Sequence, residues 1–159
     1  LDTESSDYVF KECELDDVVR QSIRKFASHF IRRRLSLNYQ PLQTKVLTDE
    51  KWLAFVLEQI LSNAIKYTLQ GSITIEMESE QVICMKDTGM GIAPENLPRV
   101  FEKGYTGYNG RTDKSASGIG LYLCKRICEQ LGHRIWIESI VGEGTSIKID
   151  FSRMQVEIE

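Results

Sequence analysis

The sequence predicts an α+β fold, a two-layer α/β sandwich whose mixed, mostly antiparallel sheet is covered on one face by helices. Three observations predict it. Stretches with apolar residues every three to four positions alternate with short stretches of period two, the patterns of helices and half-buried strands. Two pairs of the period-two stretches, 72–78 with 81–86 and 134–140 with 145–151, are separated only by turn residues, as hairpins are. And 159 residues, 42% hydrophobic and 27% charged, suit one compact domain with a proper core.

Taken in order, residues 8–13 read as a short strand. Asp16-Asp17-Val18-Val19 then opens a helix that runs through Ile23, Phe26, Phe30 and Ile31, with aspartates where a helix start favours them. Residues 35–39 and 45–47 read as two more strands around a turn at Pro41. Thr48-Asp49-Glu50 opens a long helix with apolar Leu53, Val56, Leu57, Ile60, Leu61 and Ala64, and Gly71 ends the region. After the first hairpin, the text from Ile92 to Ser117 is loop-like, carrying Pro94, Pro98, Gly104, Gly107 and Gly110. A helix from Gly118 to about Leu131 follows, and the second hairpin turns around Gly142-Glu143-Gly144.

Composition narrows the function. A net charge of −3 without a dense basic run argues against nucleic acid, and Arg32-Arg33-Arg34 suits the C-terminal end of a helix. No apolar run reaches the length of a membrane span and no secretory leader is visible. The chain begins at Leu1 without a methionine, so it reads as a piece of a longer protein, whose membrane segment, if any, lies elsewhere. Cys13, Cys84, Cys124 and Cys128 show no metal-ligand spacing; they read as reduced core thiols of a cytoplasmic protein.

Four blocks carry the chemistry. On the long helix, Gln59, Asn63 and Lys66 fall on one face, with Tyr67 beside them. An Asn oxygen is a neutral hard ligand for Mg²⁺, and a Lys ammonium can meet phosphate. Asp87, at the end of an apolar strand, can accept a hydrogen bond from an adenine amino group. It opens Asp87-Thr88-Gly89-Met90-Gly91-Ile92, where the glycines permit close approach of backbone to a base and Met90 and Ile92 add apolar contact. Ser117-Gly118-Ile119-Gly120-Leu121 precedes a helix, an anion site made of free N–H groups and the helix dipole. The polar, glycine-bearing run ahead of it has the composition of a lid. Its spacing is neither that of a Rossmann site nor that of a P-loop. The fourth block is Gly142-Glu143-Gly144-Thr145. An aspartic-protease reading of Asp-Thr-Gly would need a second such loop or a homodimer, and the flanking pattern does not fit it.

The order and spacing of these blocks resemble the ATP-binding catalytic domain of bacterial sensor histidine kinases, in the superfamily shared with gyrase, Hsp90 and MutL, whose fold is the Bergerat type. Ser62 to Thr68 resembles that family's N-box, residues 87–92 and 117–121 its two glycine boxes, and Phe101-Glu102-Lys103-Gly104 its F-box. The text from Phe101 to Arg111 is further similar to small kinases of Gram-positive bacteria that sense cell-envelope peptides. The resemblance implies Mg²⁺ on Asn63, with Gln59 reaching it through water, and Lys66 and Tyr67 near phosphate and nucleoside. It implies Asp87 on the adenine amine, Gly89, Met90, Gly91 and Ile92 around the base, and Thr145 beside Asp87. It places Gly118, Ile119, Gly120 and Leu121 at the phosphates, Lys103 within reach of the γ-phosphate, and Phe101 against the partner helices.

It further implies a connecting segment at 1–7, a catalytic domain at 8–152 with a lid at about 93–117, and a tail at 153–159. Mg-ATP would pass its phosphoryl group to a histidine on dimerisation helices outside this chain, and the full protein, membrane-anchored and homodimeric, would signal to a response regulator. This piece would be monomeric and bind ATP without phosphorylating itself. Neither His29 nor His133 has the neighbours of a phosphoacceptor. Two alternatives are a superfamily ATPase that hydrolyses ATP for clamping and an anti-sigma-type or degenerate regulatory module. The clamp ATPases use a Glu base one turn before the metal-binding Asn, where this chain has Gln59, which takes no proton.

Overall fold

A computed structural model describes residues 7–105 and 120–153. In chain order the elements are β1 (Lys11–Glu14), α1 (Leu15–Arg33), β2 (Ser36–Tyr39), β3 (Lys45–Thr48), α2 (Glu50–Tyr67), β4 (Ser72–Ser79) and β5 (Val82–Asp87). A 3₁₀ turn (Leu97–Arg99), α3 (Gly120–Leu131), β6 (Arg134–Ile140) and β7 (Gly144–Asp150) follow. Five strands form one sheet in the order β2-β4-β5-β7-β6, antiparallel except for β2 against β4, and β1 pairs with β3 in a separate antiparallel ribbon.

The register explains the layering. Ile75, Met85, Ile147 and Ile137 form one cross-strand row, and Met77, Ile83, Ile149 and Ile135 another. These rows, with Leu53, Leu57, Ile60 and Leu61 of α2 and Cys124, Ile127, Cys128 and Leu131 of α3, make the core. The opposite sheet face is charged. There Lys148 bonds Glu78 at 2.5 Å and Glu138 at 3.0 Å. One face covered and one face solvated is the arrangement that antiparallel sheets tolerate.

Local chemistry sets the helix ends. Asp49 caps α2, its Oδ1 accepting from the Trp52 N–H at 3.1 Å while Oδ2 accepts from the Val9 N–H at 2.8 Å. α1 closes on Arg34 in the left-handed conformation, with N–H bonds from Arg34 to Ile31 and from Leu35 to Phe30. Arg32 and Arg33 lie in its last turn, as the helix dipole favours.

Tertiary contacts add what local pattern leaves open. Strands β2 and β3 flank Pro41, as the sequence predicts, but do not pair with each other; β2 runs parallel to β4 and β3 joins β1. Asp16 lies in the first turn of α1, as the sequence predicts, and turns its carboxylate to the intervening loop, accepting from the N–H of Leu42 (2.8 Å) and Gln43 (2.9 Å) and from the Tyr39 hydroxyl. Burial opposes its charge, but those bonds outweigh it and hold the Asp16 carboxyl below its ordinary pKa. Within the segment read as loop, the 3₁₀ turn carries Val100 into the core, with Leu97 and Phe101 packed against it. Among the described residues, no helix is long and apolar enough to cross a membrane.

Candidate nucleotide site

The C-terminal end of β5, the end of α2 and the start of β7 meet at Asp87, and the start of α3 meets α2 at Gln59. Asp87 is 4% exposed. Oδ1 accepts two backbone N–H groups, from Gly89 at 2.9 Å and from Thr145 at 3.1 Å. Among the described residues Oδ2 receives no hydrogen bond, so it keeps its acceptor capacity for a donor brought from outside. Burial pushes the Asp87 pKa up, and the two N–H bonds offset that only in part.

Beside this carboxylate lies a second unmet polar group. Thr68 is fully buried, yet among the described residues its Oγ1 has no hydrogen-bond partner. A Cβ at Gly89 would stand 2.9 Å from that hydroxyl, 3.0 Å from Asp87 Oδ1 and 2.5 Å from the Tyr67 carbonyl. The floor is therefore a polar pair walled by backbone, a place for a flat ligand with a hydrogen-bonding edge.

The glycines serve the protein's own packing as well. Gly91 has φ +77°, and a Cβ there would lie 2.3 Å from the Ile140 carbonyl oxygen. Gly144 has φ +137° and a Cβ would lie 2.0 Å from the Asp87 carbonyl. The loop after β5 is pinned on both sides, by Met90 N–H to the Tyr67 carbonyl (3.3 Å) and by Gly142 N–H to the Met90 carbonyl (2.9 Å). Ile92 is buried and Met90 half-buried.

From α2 come Gln59, Asn63 and Lys66, all half-buried, and the buried Tyr67. Lys66 Nζ lies 5.6 Å from the Tyr67 ring centroid. Gln59 faces the start of α3: its Oε1 is 2.9 Å from where a Cβ of Gly120 would stand. That contact joins the amide stripe of α2 to the N-terminus of α3, a neutral oxygen beside an anion-favouring helix end. Leu121 of the second glycine box turns into the core. Lys103 is exposed, its Nζ 6.0 Å from the Tyr122 ring centroid, and Phe101 lies under Lys125 at 5.2 Å. Gly118, Ile119 and positions 106–117 of the segment read as a lid lie outside the described residues, as do 1–6 and 154–159.

Ser139 was not singled out from sequence. Its Oγ accepts the Ile92 N–H at 2.8 Å, donates to the Gly144 carbonyl at 3.0 Å and lies 2.8 Å from Thr145 Oγ1. The signal was present: Ser139 shares the inward face of β6 with Ile135 and Ile137, where a small polar residue breaks the apolar pattern. The two histidines sit away from this floor. His29 is exposed on α1, and His133 is buried, its Nε2 2.8 Å from Thr48 Oγ1. All four cysteines are buried and free.

Residues 48–155 match the family described as histidine kinase-, DNA gyrase B-, and HSP90-like ATPase, and the chain belongs to that family. It is 38% identical over 151 residues to the sensor protein BceS of Halalkalibacterium halodurans, covering 93% of this chain and 45% of BceS. Its fold is that of the catalytic domain of the histidine kinase ThkA, with a TM-score of 0.74 at 22% identity, covering 91% of this chain and 96% of that one. Full-length ShkA, solved with AMPPNP, gives a TM-score of 0.77 at 19% identity over 94% of this chain and 33% of its own. The chain spans less than half the length of the curated relatives it matches.

Proposed function

We propose that residues 8–152 are the ATP-binding catalytic domain of a two-component sensor histidine kinase, a protein-histidine kinase whose phosphoacceptor lies outside this chain. One observation carries the reading: a buried carboxylate with both internal bonds on Oδ1, beside the orphaned Thr68 hydroxyl, in a floor that only glycine leaves clear. Asp87 receives the adenine amine. Gly89, Met90, Gly91 and Ile92 wall the base, Thr145 orients Asp87, and Tyr67 lines the nucleoside side.

The donor set toward the phosphates suits a hard cation. Asn63 would hold Mg²⁺ through its amide oxygen, with Gln59 in reach through water, neutral oxygens of the kind this hard cation accepts. Bound Mg²⁺ would supply positive charge to the phosphates. Lys66 adds a fixed cation, Gly118, Ile119, Gly120 and Leu121 offer backbone N–H groups, and Lys103 sits at the root of the lid at about 93–117. Phosphoryl transfer depends on positioning and charge stabilisation, which these residues provide without a covalent step. The attacking histidine comes from dimerisation helices that meet the Phe101 region. The wider reading follows the sequence resemblance: 1–7 connects to those helices, 153–159 is a tail, and a membrane-anchored homodimeric parent signals to a response regulator.

The clamp-ATPase alternative lacks its base. Gln59 cannot accept a proton, and the neighbouring Glu58 is paired with Lys25. The test uses ATP labelled on the γ-phosphate. This chain alone is expected to take up no label and release negligible phosphate, while the longer kinase containing it labels on a histidine outside residues 1–159. Steady phosphate release by the chain alone would instead support a hydrolase.

A further inference from the structure

We infer that Ser139 is a specificity-determining positioning residue: by fixing the proton of the Thr145 hydroxyl, it makes the base floor accept an amine and reject a carbonyl. The inference rests on the nucleotide reading above. A serine hydroxyl has one proton and two acceptor positions. The Ile92 N–H occupies one acceptor position at 2.8 Å, and all three contacts of the serine are made together only when its single proton goes to the Gly144 carbonyl at 3.0 Å. The remaining contact, 2.8 Å to Thr145 Oγ1, can then be satisfied only with Thr145 as the donor.

Thr145 has no other proton to offer from its side chain, and its backbone N–H is committed to Asp87 Oδ1 at 3.1 Å. Thr145 and Asp87 are direct cross-strand partners. Side by side they therefore present lone pairs alone, Thr145 Oγ1 and Asp87 Oδ2. An exocyclic amine meets these two oxygens with N–H groups, whereas a carbonyl set against them meets only acceptors there and, among the described groups of the floor, finds a donor only in the Thr68 hydroxyl. Leaving such buried groups unpaired is what makes polar pockets selective. Without Ser139 the Thr145 hydroxyl is free to rotate and donate, so the penalty on a carbonyl falls. Ser139 itself needs no contact with the base.

The experiment compares Mg-ATP with Mg-ITP, which carries a carbonyl in place of the amine, by calorimetric titration. The proteins are wild type, Ser139→Ala, Ser139→Thr, Thr145→Val and the Ser139→Ala/Thr145→Val double variant. Wild type is expected to prefer ATP. Ser139→Ala is expected to lower the ITP-to-ATP ratio of dissociation constants about fivefold, the scale of one hydrogen bond. Ser139→Thr restores the wild-type ratio, and the double variant shows no further change beyond Thr145→Val. A purely structural role would weaken both nucleotides equally and leave the ratio unmoved; that outcome overturns the inference while the ATP site stands. A wild-type ratio in Thr145→Val overturns it too, even if Ser139→Ala fails to fold. Wild type binding neither nucleotide would overturn both readings.

Discussion

At Asp87 stability and function oppose each other. Its folded pKa is raised, so its ionised form is disfavoured in the folded chain; that cost is present above the folded pKa and vanishes as pH falls below the unfolded value. Asp87→Asn keeps an oxygen for the Gly89 and Thr145 N–H groups but loses the charge. Its melting temperature should exceed that of wild type at pH 7.5, with the gap closing towards pH 4, and ATP affinity should fall about ten- to hundredfold. His133 has the other sign. Burial first, then the Arg153 charge, lowers its pKa to about 4, so its contribution is complete above the ordinary histidine value and is lost as pH falls through that window. An NMR titration should find the His133 ring neutral down to below pH 5. Asp87 stands out in the sequence at a strand end before a glycine turn, and the family resemblance sets Thr145 beside it, where the Thr145 N–H meets its carboxylate. Thr68 and Ser139 escaped, since a threonine after a helix and a serine in a strand look ordinary until burial and partners are known.

The two hairpins, the three long helices and the one-sided sheet were all legible from periodicity and turn residues. Strand partnership around Pro41 was not, because it depends on what lies across the molecule. Asp16 holds residues 39–43 from 23 or more positions away, and no local pattern announces a tie of that kind. The glycines of the β6–β7 turn separate local from tertiary demand. Gly142 has φ +83° with nothing within 4 Å of a Cβ, so Gly142→Ala should cost about 1 kcal/mol through its backbone alone. Gly144→Ala adds a clash with the backbone of β5 at Asp87 and should cost about 3 kcal/mol or more. Urea unfolding of the two variants measures the difference; equal costs would mean that the turn, not its seat against Asp87, sets the demand.

Across the whole molecule, the sheet and helices bring the end of α2 and the start of β7 to the Asp87 carboxylate, while Gln59 of α2 meets the start of α3. The chain is a member of the histidine kinase-, DNA gyrase B-, and HSP90-like ATPase family. Asp87 is expected to read the base of a bound nucleotide. Calorimetric titration of Mg-ATP into wild type and Asp87→Asn, each shown by its melting curve to be folded, tests this most directly. Saturable one-to-one binding by wild type that is lost or strongly weakened in a folded Asp87→Asn is the predicted result. Equal affinity in the two proteins, or no binding by wild type, would contradict it.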